Sequence, residues 1–143
     1  MLVLIDTNVL LDFYLQRQPF FMGADLLVQS HHKSIIQGYV SATTVTDLYY
    51  QLRRDKTFRP FARSTIGQII ATFGIVEVNK PILQVAERMQ GYDFEDDIQI
   101  ACAMILGAQA IVTRDKKGFR NAPLPILTPT ALVAQLKAQG HKL

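Results

Sequence analysis

Cysteine is nearly absent from this chain of 143 residues; Cys102 is the only one. One thiol makes no internal disulfide, so a reducing, cytoplasmic compartment is expected. Cys102 lies within an apolar stretch and no helper motif accompanies it, which reads as a small core residue rather than a nucleophile. Histidine is scarce as well, and no pair has zinc-ligand spacing. His31 and His32 are adjacent, cannot share one metal from one helix face, and read as polar residues at a helix end. No apolar run is long enough to span a membrane. Residues 1–11 are apolar but carry Asp6 and no basic leader, so they read as a buried strand and not as a signal peptide. Internal repeats, low-complexity segments and linkers are all missing, and one domain over residues 1–143 is expected.

What remains is ordinary globular composition, with 49% hydrophobic and 19% charged residues. The net charge of +3 is mildly basic and compatible with a polyanionic partner. Its distribution says more than its sum. Basic residues gather at Arg53, Arg54, Lys56, Arg59 and Arg63, and again at Arg114, Lys116, Lys117 and Arg120. Acidic ones gather at Asp93, Glu95, Asp96 and Asp97. A solvated face is the plain alternative for each cluster.

Residues 2–5 form a continuous apolar run ending at Asp6, as expected for a strand buried on both faces of a parallel sheet. Further strands are predicted at 39–42, 75–78, 110–113 and 125–127. Helices are predicted at 8–15, 19–30 (Pro19 in its first turn), from 43 or 44 to 53, and at 59–73, ended by Gly74. Others follow at 81–90 (stopped by Gly91), 93–106 (ended by Gly107) and 128–138, the last capped by Thr128 ahead of Pro129. Strands alternating with helices indicate an α/β fold, a mostly parallel sheet with helices on both faces.

In such sheets ligands bind beyond the carboxyl ends of the strands. Asp6 follows the first strand and Asp115 the fourth. Asp96 falls in the first turn of the helix preceding the fourth strand, and Asp47 lies one turn into the helix following the second. Four carboxylates from separate segments should therefore share one rim. Like charges so gathered repel, which calls for a cation; an oxygen-only donor set points to Mg²⁺ or Mn²⁺. Each acid taken singly also fits a turn, a helix cap or an exposed helix position.

Four segments carry a resemblance to a known family. They are Ile5-Asp6-Thr7-Asn8-Val9-Leu10-Leu11-Asp12, Ser41-Ala42-Thr43-Thr44-Val45-Thr46-Asp47-Leu48, Phe94-Glu95-Asp96-Asp97-Ile98-Gln99-Ile100-Ala101, and Ile111-Val112-Thr113-Arg114-Asp115-Lys116-Lys117-Gly118-Phe119. In that order they resemble the four motifs of PIN-domain proteins, especially the branch containing VapC-type toxins. The resemblance implies a three-layer α/β/α sandwich with a five-stranded sheet. It also implies divalent-metal hydrolysis of RNA phosphodiesters, with Asp6, Asp96 and Asp115 as metal ligands and Asp47 in place of the family's usual Glu. Asn8 and Thr113 would orient ligands or water. Two departures stand out: Asp47 is one methylene short, and Gly118 occupies a position where relatives of this branch often carry Asp. Periodicity does not choose between Asp96 and Asp97, because their helix is apolar almost all round; the motif spacing favours Asp96.

On this reading Arg53, Arg54, Lys116 and Lys117 would hold the RNA backbone, and Phe58, Phe61 and Phe119 offer aromatic surface for unpaired bases, with core packing as their alternative. Expected partners are RNA, an antitoxin protein and a second copy of the chain, the last through helices bearing Tyr49, Tyr50, Phe61 and Ile70. A non-catalytic PIN-like binding module is the competing reading. A haloacid-dehalogenase-like phosphatase ranks last, since it needs a second Asp two residues after the first and this chain has Asn8 there.

Overall fold

The computed structural model describes residues 1–143. Its elements run β1 (Leu2–Ile5), α1 (Thr7–Tyr14), α2 (Phe21–His32), β2 (Gln37–Ser41), α3 (Ala42–Arg54), a 3₁₀ turn (Arg59–Phe61), α4 (Ala62–Thr72), β3 (Gly74–Val76), α5 (Lys80–Met89), α6 (Phe94–Leu106), β4 (Ala110–Val112), β5 (Ile126–Leu127) and α7 (Pro129–Ala138). The five strands form one sheet in the order β3-β2-β1-β4-β5. All four pairings are parallel. The expected α/β architecture is thus the observed one.

Strand β1 occupies the centre, and its continuous apolar run has a direct consequence. Side chains alternate across a strand, so Val3 and Ile5 enter one core while Leu4 enters the other. The first core joins α1, α2, α3, α4 and α7 to the sheet through residues such as Leu10, Leu27, Leu48, Ile69 and Leu132. The second packs α5 and α6 on the opposite face, with Ile82, Ile98, Cys102 and Ile111 together. Cys102 is a core residue, as expected, and burial pushes its thiol up to about 11, where it is a poor nucleophile. No helix is long and apolar enough to cross a membrane.

Several predicted boundaries shift for identifiable reasons. The Gln18–Pro19 bond is cis, and the second helix begins at Phe21, so Pro19 lies outside it. Helix α4 ends at Thr72 without a glycine cap; Phe73 is already extended and Gly74 opens β3 beside Tyr39. Helix α5 stops at left-handed Gln90 (φ 49°), one residue before Gly91. Gly107, with φ 68°, does end α6 in the left-handed conformation that glycine tolerates. His31 does more than end a helix. Its Nδ1 accepts from the Gly38 backbone N–H at 3.1 Å, its Nε2 lies 2.8 Å from the Thr72 carbonyl oxygen, and its ring stacks on Phe73. It ties α2 to β2 and to the end of α4.

Candidate active site

The sheet order places β2 and β4 on either side of β1, so the chain reverses its direction of strand addition between β1 and β4. Binding crevices form at such points, beyond the strand carboxyl ends. The backbone N–H of Asp6 donates to Val112 O at 3.0 Å, which holds Asp6 one residue past β1 beside the end of β4. Helices α1 and α3 leave from the same edge, and Thr7 Oγ1 donates to Thr44 Oγ1 at 3.3 Å where they start.

At this edge lies a cleft of about 200 Å³ lined by Asp6, Asp47, Glu95, Asp96 and Asp115, among others. All four sequence-predicted acids are therefore brought together. Asp6 occupies the N-cap position of α1 but makes no capping hydrogen bond. Asp at that position usually accepts from the helix N–H groups and stabilises the helix by about 1 kcal/mol. Here the carboxylate turns elsewhere: Oδ1 accepts from Gln99 Nε2 at 3.0 Å and Oδ2 from Thr113 Oγ1 at 2.7 Å. Asp93, at the N-cap of α6, behaves in the ordinary way and accepts from the N–H groups of Glu95 and Asp96. The contrast separates an acid held for the cleft from an acid that caps.

Thr113 and Asn8 are hydrogen-bonded to one another beside Asp6 and Asp115. Asn8 Nδ2 donates to Thr113 Oγ1 at 3.3 Å, and Thr113 Oγ1 accepts from the Asp115 N–H at 3.0 Å. One hydroxyl thus links the first and fourth motifs. Asp115 also serves its own turn, where Oδ1 accepts from the Lys117 N–H at 3.1 Å.

Asp96 and Asp97 are adjacent on α6 and hence about 100° apart around it. Asp96 faces the cleft, whereas Asp97 is buried and accepts from the Gly91 N–H at 2.9 Å. Gly118 leaves room for Asp96 as it lies, since a Cβ at 118 would meet Asp96 Oδ2.

Burial and repulsion set the electrostatics. Asp96 is pushed up from the usual 3.8 to about 7, first by burial and then by Asp6, Asp93, Asp115 and Glu95. Burial raises Asp6 against the opposing hydrogen bonds of Thr113 and Gln99. Burial also raises Asp47 and, helped by Asp47 and Asp93, Glu95. No three acidic groups converge closely enough to hold a metal ion on their own as they are arranged. The donor set nevertheless suits a hard cation: every group is an oxygen donor, none of the cleft acids is in a salt bridge, and Gln99 Oε1 is buried without a hydrogen-bond partner. Mg²⁺ commonly uses only one or two carboxylates and completes its shell with water.

Sequence reasoning missed Glu95 and Gln99 as cleft residues, although both lie within the third motif. It also missed the role of Arg114. Read as part of a basic cluster, Arg114 instead pairs through Nε with Asp12 Oδ2 at 2.8 Å and lies over the Phe20 ring at 4.4 Å. This ties α1 to the loop carrying Asp115; the only early signal was the Asp at position 12. Phe119, offered as a surface for bases, is 1% exposed and belongs to the second core. Arg53 and Arg54 sit in the last turn of α3 and do not line the cleft. At 1.5 Å per residue they lie roughly 10 Å further along the helix than Asp47.

A three-layer α/β/α fold with an acidic cleft at the switch point of its sheet defines the class of protein. The sequence profile of the PIN domain matches residues 2–117. The chain belongs to the PIN-domain family. Comparison with curated proteins gives no match. Solved structures similar to it include FitAcB from Neisseria gonorrhoeae, with TM-score 0.72, 19% identity, and coverage of 90% of this chain and 98% of that one. A toxin–antitoxin complex from Klebsiella pneumoniae gives TM-score 0.64 and 22% identity over 89% and 97% of the two chains. VapC20 from Mycobacterium tuberculosis, described as a sarcin–ricin loop cleaving toxin, gives TM-score 0.67 and 15% identity over 82% and 93%. At these identities the likeness concerns the fold.

Proposed function

We propose that this chain is a single-domain, divalent-metal-dependent endoribonuclease and the toxin of a toxin–antitoxin pair acting in the cytoplasm. One observation carries the reading: Asp6, Asp47, Asp96 and Asp115, from four separate elements, line one cleft, and Asp6 forgoes helix capping to face it. Asp6, Asp96 and Asp115 would hold Mg²⁺ or Mn²⁺. When bound, the ion supplies Lewis acidity, easing deprotonation of water and offsetting charge on phosphate oxygens. Thr113 and Gln99 fix the two oxygens of Asp6, and Asn8 fixes Thr113. Asp47 and Glu95, both raised in pKa, are assigned to receive the proton lost by attacking water. The test is RNA cleavage with Mg²⁺ or Mn²⁺ by the wild type and by Asp6→Asn and Asp96→Asn.

The competing reading is a PIN-like module that binds RNA without cutting it. Retention of all four motif acids in one cleft favours the enzyme, and the same cleavage test decides between them.

Lys116 and Lys117 lie beside Asp115 and are assigned to the RNA backbone, with Arg53 and Arg54 as a more distant contact. Phosphate contacts release counterions, so affinity falls steeply with salt. Charge reversal at Lys116 and Lys117 is expected to weaken RNA binding and flatten the salt slope by about two counterions, with a smaller effect at Arg53 and Arg54. Unchanged slopes in both double variants would remove these residues from the interface.

The antitoxin is an expected partner because a solved structure of similar fold is a toxin–antitoxin complex. Self-association is assigned to α3, the 3₁₀ turn and α4, where Tyr50, Phe61 and Ile70 are 67%, 58% and 54% exposed. Sedimentation at tens of micromolar, on the order of weak-dimer affinities, should give a dimer; a monomer there contradicts the assignment.

A further inference from the structure

The acidic cleft does not end at Asp96 and Asp115. A second cleft shares Glu95, Asp96 and Asp115 with it and adds Tyr92 and Lys117. Tyr92 is 80% exposed, the highest value among the large apolar and aromatic side chains of the chain that stand in solvent. The Lys117 ammonium lies 5.9 Å from the centre of its ring.

Tyr92 has no packing role to account for it. It precedes the N-cap of α6, Asp93, and an apolar residue there often packs against the fourth helical residue. That fourth residue is Asp97, which is buried and committed to the Gly91 N–H. The staple has no second half, and the ring remains in water beside the acid cleft.

We propose that this second cleft is a nucleotide subsite, in which the Tyr92 ring stacks an unpaired base of single-stranded RNA and Lys117 holds the adjoining phosphate. The proposal rests on the ribonuclease reading of the acid cleft. Every base has a π-face, so stacking on an exposed aromatic is tolerant of sequence. A cation beside the ring offsets the local excess of acids, which would otherwise repel a phosphate. Because the two clefts share a wall, a strand whose scissile phosphate lies among the acids places a neighbouring nucleotide at Tyr92. This gives the cleft a base-binding surface in place of buried Phe119.

The chain contains no tryptophan, so Tyr92→Trp introduces a single indole at the proposed platform. In Mg²⁺, titration with a short oligouridylate should quench its emission, while an abasic ribose-phosphate oligomer of equal length should not. Met22→Trp, at an exposed position of α2 that lines neither cleft, should respond to neither. Tyr92→Ala should raise KM for single-stranded RNA about tenfold, as expected from loss of one base stack, with a smaller change in kcat, and Tyr92→Phe should restore it. Equal quenching by the abasic oligomer, or none where the wild type cleaves RNA, overturns the subsite and leaves the nuclease standing. Base-dependent quenching without any cleavage by the wild type supports the subsite and overturns the nuclease reading.

Discussion

Asp6→Asn and Asp96→Asn should each reduce metal-dependent RNA cleavage by more than about a hundredfold, the upper range of loss for even an outer partner of a metal ligand. Asp6 is buried, and its two oxygens are held by Gln99 and Thr113. The amide in Asp6→Asn keeps the shape and removes the charge, and its NH₂ group faces a donor where the carboxylate had accepted. Asp97→Asn is the informative contrast. Asp97 accepts from Gly91 outside the cleft, so its loss should lower the melting temperature and leave cleavage within a few-fold of wild type. The amide oxygen left by the substitution can still accept from the Gly91 N–H, so the cost is the charge assistance of one hydrogen bond, about 1 kcal/mol. Full activity in Asp6→Asn, or equal loss in Asp96→Asn and Asp97→Asn, would sink the site assignment.

Thermal stability should respond to pH and metal in a direction set by Asp96. Its carboxyl lies at about 7 in the folded chain against the usual 3.8. Between those values the folded state holds a proton that the unfolded state has lost, so this group makes stability fall as pH rises through the window. The contribution is fully lost only above about pH 7. Asp96→Asn removes the titration and the repulsion together. In chelator it should melt above the wild type at pH 7, with the difference shrinking toward pH 4. Added Mn²⁺ or Mg²⁺ reverses the order, because an ion that binds only the folded form stabilises it by about 2.7 kcal/mol at a hundredfold excess over its dissociation constant. The wild type should gain more than the variant. Were Asp96 merely part of a capped helix start, its loss would lower stability by about 1 kcal/mol with no dependence on metal. Melts of both proteins in chelator and in Mn²⁺ distinguish the two cases.

Much of this molecule is written in local pattern. The apolar run at Leu2–Ile5 could be satisfied only by burial on both faces, and the two cores divide Val3 and Ile5 from Leu4 accordingly. Alternation of strands and helices led to the parallel sheet. The placement of acids after β1 and β4 led to one shared rim, because parallel strands align their carboxyl ends. Thr128 caps α7 ahead of Pro129 as its sequence predicts. Composition and spacing are short-range information, and these features depend on short-range constraints.

The remainder depended on which side chains meet across the chain. Glu95 joins the cleft, and Gln99 reaches Asp6 across 93 residues of sequence, because α6 packs its apolar surface on the sheet with one particular rotation about its own axis. That same rotation aims Asp96 at the cleft and Asp97 at Gly91. A helix apolar almost all round has no strong polar face to encode the angle, so packing against Leu4 and Ile111 decides it. Arg114 is claimed by buried Asp12, and Phe119 by the second core. A charged or aromatic residue in a loop has the same local signature whether it faces solvent or folds inward. The sequence alone determined the fold class, the family and the four acids. Tertiary packing decided which neighbours orient those acids and which exposed groups remain beside them, because both are set by long-range burial that no local period records.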